Sequence, residues 1–197
     1  MGRFWQIAIS AALVCSGSIS VAYDTAGTPI GRNAGEFSLP DYRGKVHSLS
    51  DYQDKLVVLA FVGTECPLAK TYAPRLKSLA AEFEKQGVVF LGMDANQQDS
   101  LTEIGAYARV HEITFPILKD NNNEIADRLG AVRTPEVFLL DKNHVVRYWG
   151  RIDDQYGFKT GAGYVKPKLN QRNLADAIVQ VLAGKEVSNP MVKADGC

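Results

Sequence analysis

Cysteine is scarce in this chain, with three residues in 197, at positions 15, 66 and 197. Three cysteines cannot build the multi-bridge framework of a small disulfide-stapled domain. An excess of one charge sign is also missing. Lys+Arg and Asp+Glu cancel at 22 each, so the chain as a whole has no electrostatic drive toward nucleic acid or anionic lipid. No apolar run reaches the about 20 residues that a membrane-spanning helix needs. The three histidines, His47, His111 and His144, contain no i,i+4 pair, and a copper-carrier pattern would want a second cysteine where Lys70 stands. Neither a cofactor nor a metal is expected. What is present is an ordinary globular composition, 46% hydrophobic and 22% charged, on a length that suits one domain.

The N-terminus reads as a targeting segment rather than as fold. Arg3 supplies a positive start, Ile7 to Val14 is apolar apart from Ser10, and Ser20 and Ala22 provide small residues at −3 and −1 of a cut before Tyr23. A signal peptide over 1–22 is therefore expected. A retained membrane anchor and lipid attachment at Cys15 are the competing readings. Cleavage before Tyr23 leaves only Cys66 and Cys197, in a periplasmic or secreted setting where disulfides persist.

After a glycine-rich lead-in over 23–35, the main domain is expected over 36–186. Phe37 to Leu39 and Val46 to Leu49 alternate around Asp41-Tyr-Arg-Gly44, a small hairpin. Leu56 to Val62 is continuously apolar, as in a strand buried on both faces. Leu68, Tyr72, Leu76, Leu79 and Phe83 recur at helical spacing, and Val88 to Leu91 is a second buried strand. Ser100 with Glu103 forms a capping box for a helix to His111, Phe115 to Leu118 is a short strand, and a helix over 124–129 ends at Gly130. Val137 to Leu140 and Val145 to Trp149 flank Asp141-Lys-Asn-His144 as a hairpin, and a last helix runs from about Asn170 to Ala183. The order implies an α/β fold with a mixed central sheet flanked by helices. Residues 187–197 show no period and are expected to form a flexible tail.

Cys66 carries the chemistry. It follows a buried strand across Gly63-Thr-Glu65 and precedes Pro67, which suits the first helical position, so the thiol sits at or beside an N-cap. Unpaired N–H groups and the positive end of the helix dipole favour a thiolate there, and Lys70 adds a cation on nearly the same face. A carboxylate at Glu65 opposes this if it points inward. The plain alternative for Cys66 is a small buried hydrophobe.

These residues resemble the thioredoxin-like redoxins. The segment Val57 to Leu76, with Cys66-Pro-Leu-Ala69 and Pro74 eight residues after the cysteine, resembles the active-site strand and helix of thioredoxins. Arg133-Thr-Pro-Glu-Val-Phe-Leu-Leu-Asp141 resembles the strand that opens with a cis-proline, which implies that Pro135 lies beside Cys66 and that Thr134 offers its backbone to an extended substrate. Thr114 to Asp120 and Gly150 to Asp154 are similar to the peroxiredoxin-like branch, related to alkyl hydroperoxide reductase and thiol-specific antioxidant proteins. The resemblance spans about residues 35–184 and implies a thioredoxin-like fold.

Three departures shape the function it implies. Ala69 replaces the second cysteine of Cys-x-x-Cys, and Ala60 replaces the usual buried acid. In the peroxiredoxin register, Val62, Cys66 and Ala69 stand where proline, threonine and the peroxidatic cysteine belong. The expected activity is therefore that of an exported thiol-disulfide oxidoreductase or antioxidant-type redoxin with one attacking cysteine. Its partners would be a thiol or disulfide substrate, protein or small molecule, and an external thiol reductant, with no nucleic acid and no membrane after cleavage. A non-catalytic binding module, with metal carriage as one version of it, and a self-sufficient peroxidase are the rivals. Cys197 stays open between a distant resolving thiol, a bridge to another chain and a tail residue without a role. Trp149, Tyr156 and Phe158 read either as the lining of a groove or as packing.

Overall fold

A computed structural model describes residues 27–159 and 162–197. The expected signal peptide at 1–22, with Cys15, lies outside the described residues. Among the described residues, no helix is long and apolar enough to cross a membrane.

The core is a six-stranded mixed sheet in the order β10-β7-β6-β3-β4-β5. Its centre, β3 (Leu56–Phe61), is buried along its whole length and pairs in parallel with β4 (Val88–Asp94) and antiparallel with β6 (Glu136–Leu140). The alternation of a strand sends its side chains into two separate cores. Leu56, Val58 and Ala60 join the cluster beneath α1 (Pro67–Glu84), α2 (Leu101–Val110) and α4 (Asn173–Leu182). Val57, Leu59 and Phe61 join the cluster that holds α3 (Glu124–Leu129) and Phe37. This is the thioredoxin-like α/β fold expected from the sequence.

The outer elements follow their local signals. β1 (Ser38–Pro40) and β2 (Val46–Ser48) form the small antiparallel hairpin. Ser100 and Glu103 cap α2 reciprocally. β5 (Ile117–Lys119) closes one side of the sheet, and β7 (Val146–Gly150) pairs antiparallel with β6. The described part of the lead-in, from Gly27 on, is tied down, because the Gly31 and Ala34 N–H groups donate to the carbonyls of Val146 and His144.

Two features differ from expectation. A second hairpin, β8 (Tyr156–Lys159) with β9 (Ala162–Val165), occupies the stretch after β7 that carried no strand assignment. Residues 187–197 are not a loose tail: β10 (Met191–Val192) pairs in parallel with β7, and Ala194 is 2% exposed. Backbone pairing and one buried methyl dock this segment, and neither leaves a periodic pattern in sequence.

Candidate functional site

The loop from β3 to α1 delivers Cys66 to the N-cap of α1, in extended backbone with Pro67 directly after it. The Ala69 N–H points at its sulfur, 3.5 Å away. Cys66 is 6% exposed and lies on the α1 side of the sheet. Pro74 stands inside α1 and leaves the Lys70 carbonyl without its helical donor.

Facing Cys66 is the start of β6, where the Thr134-Pro135 peptide is cis. The Thr134 carbonyl oxygen lies 3.0 Å from Cys66 Sγ. In the state described that sulfur carries no proton, because Cys66 and Cys197 are joined in a disulfide with their Cα atoms 5.9 Å apart. The Cys197 N–H donates to the Thr134 carbonyl at 2.9 Å, and the Thr134 N–H donates back to the Cys197 carbonyl at 3.3 Å. The tail thus lies along the edge that the resemblance reserved for an extended substrate. Cys66, Thr134, Pro135 and Cys197 all meet here.

Lys70 is arranged differently from its expected role. Its ammonium pairs with the Glu65 carboxylate at 3.4 Å on an exposed surface, so both charges turn to solvent and screen one another. The aromatic groove does not assemble. Trp149 stacks on Phe138, Tyr156 meets Tyr72 edge-on, and Phe158 is partly exposed on β8.

A buried polar cluster behind the Cys66 loop escaped sequence reading. Asp99 accepts hydrogen bonds from the Thr64 N–H at 2.8 Å and from Asn96 Nδ2 at 3.1 Å. Lys119 Nζ binds Asp94 Oδ1 at 2.9 Å and donates also to the Asn96 carbonyl. Burial pushes the Asp94 carboxyl up to about 7, with Asp99 adding to the effect and the Lys119 ammonium opposing it. For Asp99, burial works in the same upward direction, but the Thr64 and Asn96 donors outweigh it and hold the carboxyl below its ordinary range. The cluster fixes the turn that aims Cys66. Its sequence signal was a charged residue closing each of two buried strands, Asp94 on β4 and Lys119 on β5.

No group of three or more His, Cys, Asp or Glu side chains among the described residues could hold a metal ion. His47 is held between Asp41 Oδ2 at 3.2 Å and the Tyr52 hydroxyl at 2.8 Å.

The AhpC/TSA family profile matches residues 30–149. The thiol-disulfide oxidoreductase ResA of Geobacillus thermodenitrificans is 33% identical over 118 residues, which cover 60% of this chain and 67% of that protein. ResA of Halalkalibacterium halodurans is 27% identical over 72% of this chain and 82% of its own. Among solved structures, a hypothetical protein of Sinorhizobium meliloti superposes with a TM-score of 0.76 at 28% identity, covering 85% of this chain and 92% of that one.

Proposed function

The chain belongs to the AhpC/TSA family, and on that premise we propose that it is an exported thiol-disulfide oxidoreductase in which Cys66 attacks and Cys197 resolves. The observation that carries this reading is the bond between a helix-capping cysteine and a tail cysteine, formed against the backbone of Thr134. The names of the ResA relatives support the class of chemistry.

In the reduced protein the Cys66 thiolate attacks one sulfur of a substrate disulfide. A bond forms from Cys66 to the substrate, and the substrate's other sulfur leaves as a thiolate and takes up a proton. The Cys197 thiolate then attacks Cys66 Sγ, expels the substrate's remaining sulfur, and leaves the Cys66–Cys197 disulfide. Two electrons have passed from the cysteine pair to the substrate. Two equivalents of an external thiol, or one dithiol, restore the pair in two exchanges and depart as a disulfide. Cys197 is exposed whereas Cys66 is buried, which favours attack by that thiol at Cys197 with Cys66 as leaving group.

The helix N-terminus stabilises the Cys66 thiolate through the Ala69 N–H and the helix dipole. Cys197 supplies from the tail what Ala69 lacks within the helical turn. Export rests on Arg3, the short apolar run and the small residues before Tyr23.

Trapping decides between this reading and a binding module without turnover. Cys197→Ser should accumulate mixed disulfides at Cys66 in a native extract, detected by mass spectrometry, and Cys66→Ser should lose disulfide reduction. A wild-type chain that reduces no disulfide, together with a Cys197→Ser chain that traps nothing, would favour the binding module.

A further inference from the structure

The tail is held over the site by more than its sulfur. Its N-terminal part is anchored, with the Trp149 N–H donating to the Pro190 carbonyl at 2.8 Å and the Arg151 N–H to the Val192 carbonyl at 3.1 Å. Past the exposed Lys193, the contacts change character. Arg133 Nη1 donates to the Ala194 carbonyl at 3.1 Å, Asp195 lies over Gly157 of β8, and Cys197 exchanges two backbone hydrogen bonds with Thr134. Gly196 packs directly against the backbone of Thr134 and the side chain of Arg133. A Cβ there would stand 2.6 Å from the Thr134 oxygen and 3.1 Å from Arg133 Cβ, too near for either to remain in place.

We propose that residues 194–197 are a displaceable strand seated on the protein's own polypeptide-binding edge, that tail and substrate take turns on Thr134, and that Gly196 is the positioning residue that lets the tail dock. The chemistry at Cys66 rests on the oxidoreductase reading above. The docking does not.

The partner this edge fits is an extended polypeptide segment containing the cystine to be reduced. Thr134 has one N–H and one carbonyl to offer a strand in this register, and the tail uses both. A substrate paired there must lift residues 194–197 away, while β10 keeps the tail tethered within reach of Cys66. When Cys197 returns to attack Cys66 Sγ, its backbone reclaims Thr134 and displaces the substrate strand at the same time as its sulfur displaces the substrate thiolate. Resolution and release are then one event.

Gly196→Ala separates the two halves of the cycle in the full-length chain. With a synthetic peptide disulfide, rapid quenching and thiol labelling should show closure of the Cys66–Cys197 bond slowed roughly tenfold or more, because the added methyl overpacks against backbone. Attack on the same peptide, followed in a Cys197→Ser background, should be faster in Gly196→Ala because the edge is less often occupied. Opposite effects on the two steps are the signature. Unchanged closure, or both steps slowed alike, would overturn the inference while leaving the oxidoreductase reading intact. If the wild type reduces no peptide, that reading fails instead. Docking is then read from amide hydrogen exchange at Thr134 and Cys197, which should be protected in the wild type and unprotected in Gly196→Ala. Equal protection in both would also overturn it.

Discussion

Thr134 and Cys197 exchange both of their backbone hydrogen bonds, at 2.9 and 3.3 Å, directly beside the disulfide that joins Cys197 to Cys66. The same two groups thus fix the end of the chain and close the reactive sulfur against its neighbours. Because the bridge spans 131 residues of sequence, it restricts much of the unfolded chain as well as the tail.

Reducing the bridge should therefore lower unfolding stability by about 2–4 kcal/mol. Denaturant titrations with and without reductant measure this. Cys66→Ser should behave like the reduced wild type. A further loss beyond that level would show that Cys66 serves the core as a packed hydrophobe.

Gly150 ends β7 with φ at +146°, and a Cβ on it would collide with the Val192 carbonyl. Gly150→Ala should cost about 1–3 kcal/mol through backbone strain and lost docking of β10. It should also raise the hydrogen exchange of the Trp149 and Arg151 amides. An exchange pattern like that of the wild type would mean that β10 contributes little to the edge.

Asp94 sets an expected pH dependence. Its carboxyl is raised from 3.8 to about 7 by burial first and by Asp99 second. The folded state therefore holds a proton that the unfolded state has already released. Its contribution to stability is greatest below about 4 and declines as pH rises to about 7. In Asp94→Asn, the gap in melting temperature between pH 5 and pH 8 should shrink relative to the wild type. An unchanged gap would place the titration elsewhere.

Peroxide gives a further expectation. Val62 and Ala69 stand where peroxiredoxin-type chemistry requires a proline and the attacking cysteine. In the reduced protein Cys66 should react with hydrogen peroxide no faster than an ordinary thiolate, and Cys197→Ser should be driven past sulfenic acid for want of a resolving thiol. Stopped-flow kinetics with mass analysis reads both. A fast, saturable cycle that survives Cys197→Ser without added thiol would contradict this.

The central sheet was legible because its physics is local and repetitive. Six consecutive apolar residues from Leu56 to Phe61 declare a strand buried on both faces, and Leu68 to Phe83 repeat at helical spacing. Cys66 before Pro67 announced its cap, and the surroundings of Pro135 announced the cis peptide through resemblance. The tail was not legible, since β10 is two residues long and its partners are backbone groups on β7. Nor was the direction of Lys70, because a flexible ammonium chooses among nearby carboxylates and here meets Glu65. Asp94, Asp99 and Lys119 converge only after β4, β5 and the loop between β4 and α2 are brought together, and sequence spacing does not record that meeting.

β10 also decides what lies at the rim of the sheet. With Pro190 to Val192 in place, the Trp149 and Arg151 amides are satisfied within the molecule. If the strap lifts off, β7 becomes an open edge, and the tail of a neighbouring copy can fit it as well as the molecule's own. Two copies that traded tails would link Cys66 of each to Cys197 of the other, a domain-swapped, covalently closed dimer. In such an exchange, protein concentration during reoxidation would select the quaternary state, with monomers closing at dilution and swapped pairs accumulating at high concentration.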